Sequence, residues 1–158
     1  MMICVEMGQG LFNFRAAGIA VDDGHVLLCQ SQANPSFWFL PGGRVDLMEP
    51  TPETLRREMT EELSTEIELG PLQMVVENFF TLDGRPHHEI GFYYTVRFTD
   101  PAILDKSRIW HGVADGTYKL NLRWFRLDDL DQVPLRPAFL TRALRSPQSG
   151  VQHIVNHS

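Results

Sequence analysis

From Phe14 to Gln30 the chain holds two apolar runs, FRAAGIAV and HVLLCQ, split by Asp22, Asp23 and Gly24. That is the pattern of two strands joined by a tight turn. The polar loop SQANPS follows, and FWFL then reads as a short aromatic strand ending at Pro41, which cannot donate to a ladder. After LPGGR, Thr51 offers an N-cap, Pro52 a first-turn proline and Glu53 an acid for the helix dipole, with no breaker before Ser64. These signals predict a helix over residues 52–63. A second strand-rich block holds PLQMVVENFFTL and HHEIGFYYTVRF. In the latter, Ile90, Phe92, Tyr94, Val96 and Phe98 alternate with Glu89, Gly91, Tyr93, Thr95 and Arg97. Period two predicts a half-buried strand with Glu89 on its polar face. Residues 100–118 contain Pro101, Gly112 and Gly116 with little periodicity and read as a long loop. KLNLRWF resumes as a strand with Trp124 in the core, RPAFLTRALR reads as a short helix, and the segment from Ser146 onward as a loosely held tail. No repeat or linker divides the chain. One α/β domain over 1–158, with its core at about 14–145, is expected.

Composition narrows the class. Apolar residues make up 43% and charged residues 22%, the balance of a soluble globular chain. Cys4 and Cys29 lie in apolar stretches without metal-type spacing and read as buried free thiols. No basic leader with a sustained apolar run opens the sequence, and no window reaches bilayer length, so a cytoplasmic protein without a membrane partner is expected. Net charge is −6 with scattered Lys and Arg, which gives no electrostatic footprint for DNA. An acidic protein handling phosphates needs cations as intermediaries.

The predicted helix is unusual on its polar side. Leu55, Met59 and Leu63 form its apolar stripe, and Glu58, Glu61 and Glu62 crowd one edge of that stripe. Like charges three and four residues apart repel, more so where burial lowers the dielectric. Two readings stay open on these residues alone. One is an acidic solvated face; the other is a set of oxygen ligands for a hard divalent cation such as Mg²⁺ or Mn²⁺.

The surrounding spacing bears on that choice. Gly43 is followed after five residues by Glu49, and after seven more by Arg57, Glu58, Met59, Thr60, Glu61, Glu62, Leu63, Ser64 and Thr65. This stretch resembles the Nudix box, matching all six of its Gly, Glu and Arg positions through the glutamate pair. It departs at Ser64, where the box has glycine, and at Thr65, where it has an aliphatic, so an altered helix exit is expected. The resemblance implies a Nudix-type α/β/α sandwich around a mixed β-sheet. It implies metal-dependent hydrolysis of a phosphoanhydride bond in a nucleoside diphosphate linked to another moiety, by water attack at phosphorus. In proteins this chain looks like, Glu58 and Glu62 bind Mg²⁺ or Mn²⁺, Glu61 assists, the backbone carbonyl of Gly42 completes the site, Arg57 orients the glutamates, and Glu49 is structural. The general base varies among members, so Glu58, Glu61 and a residue outside the helix all stay open.

Glu89 is the outside candidate, as an extra metal ligand or base, against a solvated strand-end glutamate. Asp115 is a weaker one, and His87 and His88 read as loop surface. Arg15 and Arg44 are candidates to meet phosphates. Trp38, Phe80 or Tyr93 could stack a base, although each also fits core packing. Phe80 stands where some ADP-ribose-cleaving members carry proline. The expected partner is a small-molecule nucleotide substrate, with a homodimer left open. A non-catalytic nucleotide-binding or sensor protein of the same fold, which usually loses helix carboxylates, is the rival from another class; RNA decapping is disfavoured by the acidic balance.

Overall fold

The computed structural model describes residues 1–158. The strands are β1 (Cys4–Met7), β2 (Gly10–Asp22), β3 (His25–Ser31) and β4 (Gly42–Arg44), followed by helix α1 (Thr51–Leu63). Next come β5 (Ile67–Leu82), β6 (Arg85–Phe98), β7 (Ile109–Ala114) and β8 (Tyr118–Arg126), then α2 (Leu140–Ala143) and β9 (Gln152–His157). They form a mixed sheet in the order β7-β8-β3-β2-β6-β5-β9, with β1 and β4 paired to the other edge of β2. β2 runs parallel to β6 over Leu11 to Ala20 but touches β3 only at Val21 and Asp22. β3 and β2 therefore splay apart beyond the turn, and β4 lies in the opening, paired to β2 through Arg15–Arg44 and Ala17–Gly42.

Helices cover both faces. On one, Leu55 and Met59 of α1 pack with Ala16, Ala20, Leu27, Val96 and Trp124. On the other, Leu130, Leu135, Leu140 and Leu144 cover Ala17, Ile19, Val26, Leu28 and Tyr93. This is the expected α/β sandwich around a mixed sheet, and Trp124 is in its core with its indole N–H donating to Ile103 O at 2.7 Å.

Several expectations are corrected. FWFL is no strand: Trp38 and Phe39 make only isolated bridges, to Leu135 and Cys29, while Gly42–Arg44 forms the short β4 instead. Residues 100–118 are not a long loop but carry a 3₁₀ turn (Pro101–Leu104) and β7. β7 is an edge strand paired only with β8, so it needs little apolar alternation. Its Gly112, which reads as a breaker, is needed for close approach: a Cβ there would stand 2.2 Å from the Glu62 carbonyl oxygen. The C-terminal segment is not loose either. β9 pairs in parallel with β5 from Met74–Gln152 to Phe79–His157. β6 is covered on both faces, so Tyr93 is a core residue rather than a stacking platform. Finally, the N-cap of α1 is Pro50, and the Thr51 hydroxyl instead meets the Tyr94 hydroxyl at 2.7 Å.

Candidate active site

The helix buries two of its three crowded carboxylates. Glu58 and Glu62 are 2% and 4% exposed, whereas Glu61 is exposed at the rim. Gly43 makes the burial of Glu58 feasible, because a Cβ at that position would lie 2.1 Å from the carboxyl carbon of Glu58. Arg57 ties the group together. Its Nε and Nη2 donate to the two carboxylate oxygens of Glu49, each at 2.9 Å, and Nη2 also donates to Arg44 O at 3.2 Å. Nη1 donates to Glu58 at 2.8 Å and, more weakly, to Glu61 at 3.4 Å. The planar guanidinium fork is what allows one side chain to serve these partners. Glu49 is fixed further by the Thr54 hydroxyl at 2.7 Å and the Asp46 N–H at 3.2 Å.

The electrostatics separate the glutamates. The Arg57 hydrogen bonds, helped by Thr54 and Asp46, hold the Glu49 pKa down at about 2. Burial, then repulsion from Glu58, pushes Glu62 up to about 8, with Asp115 and Glu61 adding to the repulsion and Arg15 opposing it. Burial also raises Glu58, against the pull of Arg57. One Glu62 carboxylate oxygen is buried with no hydrogen-bond partner. An unpaired oxygen of this kind, beside a second buried carboxylate, fits a divalent cation, which would neutralise both. No three His, Cys, Asp or Glu side chains stand together in ligating geometry, consistent with Arg57 drawing Glu58 and Glu61 to itself.

The remaining candidates divide. Asp115, at the turn between β7 and β8, faces Glu62 closely enough to repel it. Glu89 does not join the helix glutamates. Its register neighbours are Asn13 on β2 and Asn78 on β5, on the sheet face opposite α1, and burial raises its pKa while Arg15, Asn78 and Arg44 counter it. Arg15 is held in place, donating to Leu40 O at 2.8 Å and lying over the Phe39 ring. Burial opposes its charge, and Glu89, Cys29, Tyr93 and Glu62 outweigh that effect. Arg44, on β4 beside Arg15, acts on Glu89 and His87 of β6 across the intervening β2. Trp38 packs edge-on against Phe125, and Phe80 stacks on His87 at 4.8 Å. Two cavities, of about 470 and 560 Å³, lie at the Phe80–His87 end of the sheet and under the C-terminal segment, and the helix glutamates line neither. Sequence reasoning passed over Asn13 and Asn78, 3% and 5% exposed. A lone amide inside each apolar strand run, GLFNF and VVENFF, was the available signal.

The fold is a mixed-sheet α/β sandwich whose one long helix buries two glutamates, Glu58 held by Arg57 and Glu62 with an oxygen unpaired, beside a glycine strand. The family model for the NUDIX domain matches residues 13–144. A MutT NUDIX hydrolase from Burkholderia pseudomallei is similar at 30% identity, covering 84% of this chain and 95% of that one with a TM-score of 0.59. The chain belongs to the Nudix family and is a Nudix hydrolase. Its fold is shared by a mutator MutT protein from Bacillus halodurans (19% identity, 89% of each chain, TM-score 0.60). An ADP-ribose pyrophosphatase from Streptococcus suis also shares it (16% identity, 89% and 98% of the chains, TM-score 0.59). A search among curated proteins found no match. Nudix hydrolases generally use divalent metal ions and act on small-molecule nucleotides. No helix here is long and apolar enough to cross a membrane.

Proposed function

We propose that this Nudix hydrolase cleaves a phosphoanhydride bond in a nucleoside diphosphate linked to another moiety, with Mg²⁺ or Mn²⁺ required. The observation that carries this reading is the Glu62 carboxylate, buried beside Glu58 with one oxygen unpaired. Glu58, Glu62 and the Gly42 carbonyl would hold the cation, with Glu61 assisting from the rim. When bound there, the cation supplies charge neutralisation of the diphosphate and activation of the attacking water. Arg57 keeps Glu58 in place through its paired bonds to Glu49. Glu61, exposed and bonded to Arg57 only at 3.4 Å, has the freedom to accept the proton from water attacking phosphorus. Arg44 is available to the substrate's phosphates.

A panel of nucleoside diphosphate derivatives incubated with Mg²⁺ or Mn²⁺, with and without chelator, tests the reading. Hydrolysis is expected only with the cation; full activity in excess EDTA would exclude it. In water enriched in ¹⁸O the label should enter a phosphate product, and label on a sugar carbon would mean different chemistry.

A further inference from the structure

β9 is the outer strand of the sheet, paired with β5 on one side and with no strand on the other. A free strand edge presents a row of backbone N–H and C=O groups, and folded chains usually guard it with Lys, Pro or a bulge. β9 has none of these guards. From Ser146 to Ser158 there is no Lys, Arg, Asp or Glu, and the one proline, Pro147, precedes the strand. The register with β5 runs unbroken from Met74–Gln152 to Phe79–His157. The other outer strands differ. β1 carries Glu6, ion-paired with Arg85 at 3.1 Å, and β7 carries Gly112, which weakens a strand, between Arg108 and Asp115.

Backbone direction sets the register this edge can offer. Ser158 N–H donates to Phe79 O at 2.9 Å. In a parallel ladder alternate residues bond the same neighbour, so Asn156, Ile154 and Gln152 also turn their backbone groups to β5. His153, Val155 and His157 turn theirs outward, and their side chains are the exposed ones, Val155 by 54%. Asn156 Nδ2, donating to Asn78 Oδ1 at 2.8 Å, and His157, stacked on Phe79, hold the strand in this orientation.

Three outward residues spaced by two and centred on Val155 form a self-complementary row. A two-fold axis at Val155 brings the strand against itself antiparallel, with Val155 opposite Val155 and His153 opposite His157 on both sides. Every outward N–H and C=O of the three then finds a partner, making about six hydrogen bonds across the axis. The two valines meet as a β-branched cross-strand pair. Glu77, the β5 neighbour of Val155, is already engaged by His153 of its own copy at 2.7 Å.

We propose that β9 is a self-association edge, through which two copies of this chain pair about a two-fold axis at Val155 and join their sheets into one. Strand addition of this kind draws its affinity from main-chain hydrogen bonds. A second copy is the occupant because the row matches itself residue for residue without opposing two charged side chains of the Lys, Arg, Asp or Glu type. The assignment is independent of the proposed substrate.

Sedimentation and amide hydrogen exchange of the full chain, over a range of protein concentrations, test it. The mass should reach that of two chains by about 1 mM. The amides of His153, Val155 and His157 should exchange at least about tenfold more slowly in the dimer than after dilution to monomer, while those of Gln152, Ile154 and Asn156, which bond β5, are protected at every concentration. Val155→Lys leaves the β5 bonds alone, sets two like charges against each other at the axis and should weaken the dimer at least about tenfold. A chain that stays monomeric throughout would leave the edge to some other partner and overturn the proposal. So would a dimer whose three outward amides exchange as fast as in the monomer, or a Val155→Lys variant that keeps its β5-facing amides protected and dimerises as tightly as the parent. The first two comparisons need no variant to fold.

Discussion

Glu62 and Glu49 belong to one cluster yet pull stability in opposite directions with pH. Glu62 has its pKa raised from 4.5 to about 8 by burial and then by Glu58. Between those values the folded protein keeps a proton that the unfolded chain releases, so stability falls as pH rises through that window. Glu49 is lowered to about 2, chiefly by Arg57. Its contribution is present above 4.5 and is lost as pH falls through about 2. The melting temperature of the metal-free protein should therefore decline between about pH 5 and pH 8. Glu62→Gln should flatten this decline and melt no lower than the parent. Mg²⁺ should raise the parent's melting temperature more than the variant's, since a ligand bound only by the folded state stabilises by mass action. The same variant should lose at least about two orders of magnitude in rate, equivalent to about 2.7 kcal/mol of transition-state stabilisation. Near-parental activity with an unchanged Mg²⁺ shift would remove Glu62 from the site.

At the scale of elements, the helix exit shows where a local rule bent and the geometry held. Ser64 stands where the family's box has glycine, and it still adopts the left-handed conformation, at φ 52° and ψ 37°, with its N–H donating to Thr60 O. The expected change of helix exit does not occur. An L-residue there costs about 1 kcal/mol, partly offset by its lower freedom in the unfolded chain. Ser64→Gly should accordingly raise stability by a few tenths to about 1 kcal/mol, read as a rise of about 1 to 3 °C in melting temperature. A lower melting temperature would mean that the serine side chain is itself needed. Helix α1 was legible because caps, apolar period and box spacing agree over one short stretch. β7 was not, since an edge strand needs no alternation and the tight fit of Gly112 under Glu62 depends on a partner distant in sequence. Gly112→Ala should cost about 1 to 3 kcal/mol for the same reason, and a melting temperature matching the parent's would refute the close contact.

Across the whole molecule, the sequence reveals the family and the glutamate cluster better than it reveals the sheet that carries them. Glu58, Glu61, Glu62 and Arg57 sit on one helix, so their relation follows from local geometry, whereas the Asn13–Glu89–Asn78–Asn156 row draws on four strands. No periodicity within one strand could announce it. The C-terminal segment shows the same limit. VQHIVNHS is short, lacks a period-two alternation and is preceded by Pro147, Ser149 and Gly150, so on its own it reads as a tail. It becomes β9 because β5 is long enough to offer a free edge from Met74 to Phe79, where Asn78 accepts from Asn156 and Phe79 stacks on His157 at 4.7 Å. Pairing of this kind should appear in amide hydrogen exchange, which reports the free energy of local opening. Alternate amides of residues 152–157 that bond β5 should exchange at least about a hundredfold more slowly than those of Ser149 and Gly150, equivalent to about 2.7 kcal/mol of protection. Asn156→Ala should weaken that protection in β9 while leaving the exchange of α1 as it was, because the helix packs on the opposite face. Uniformly fast exchange from Ser149 to the last residue would return the segment to a tail and remove Asn156 from the polar row.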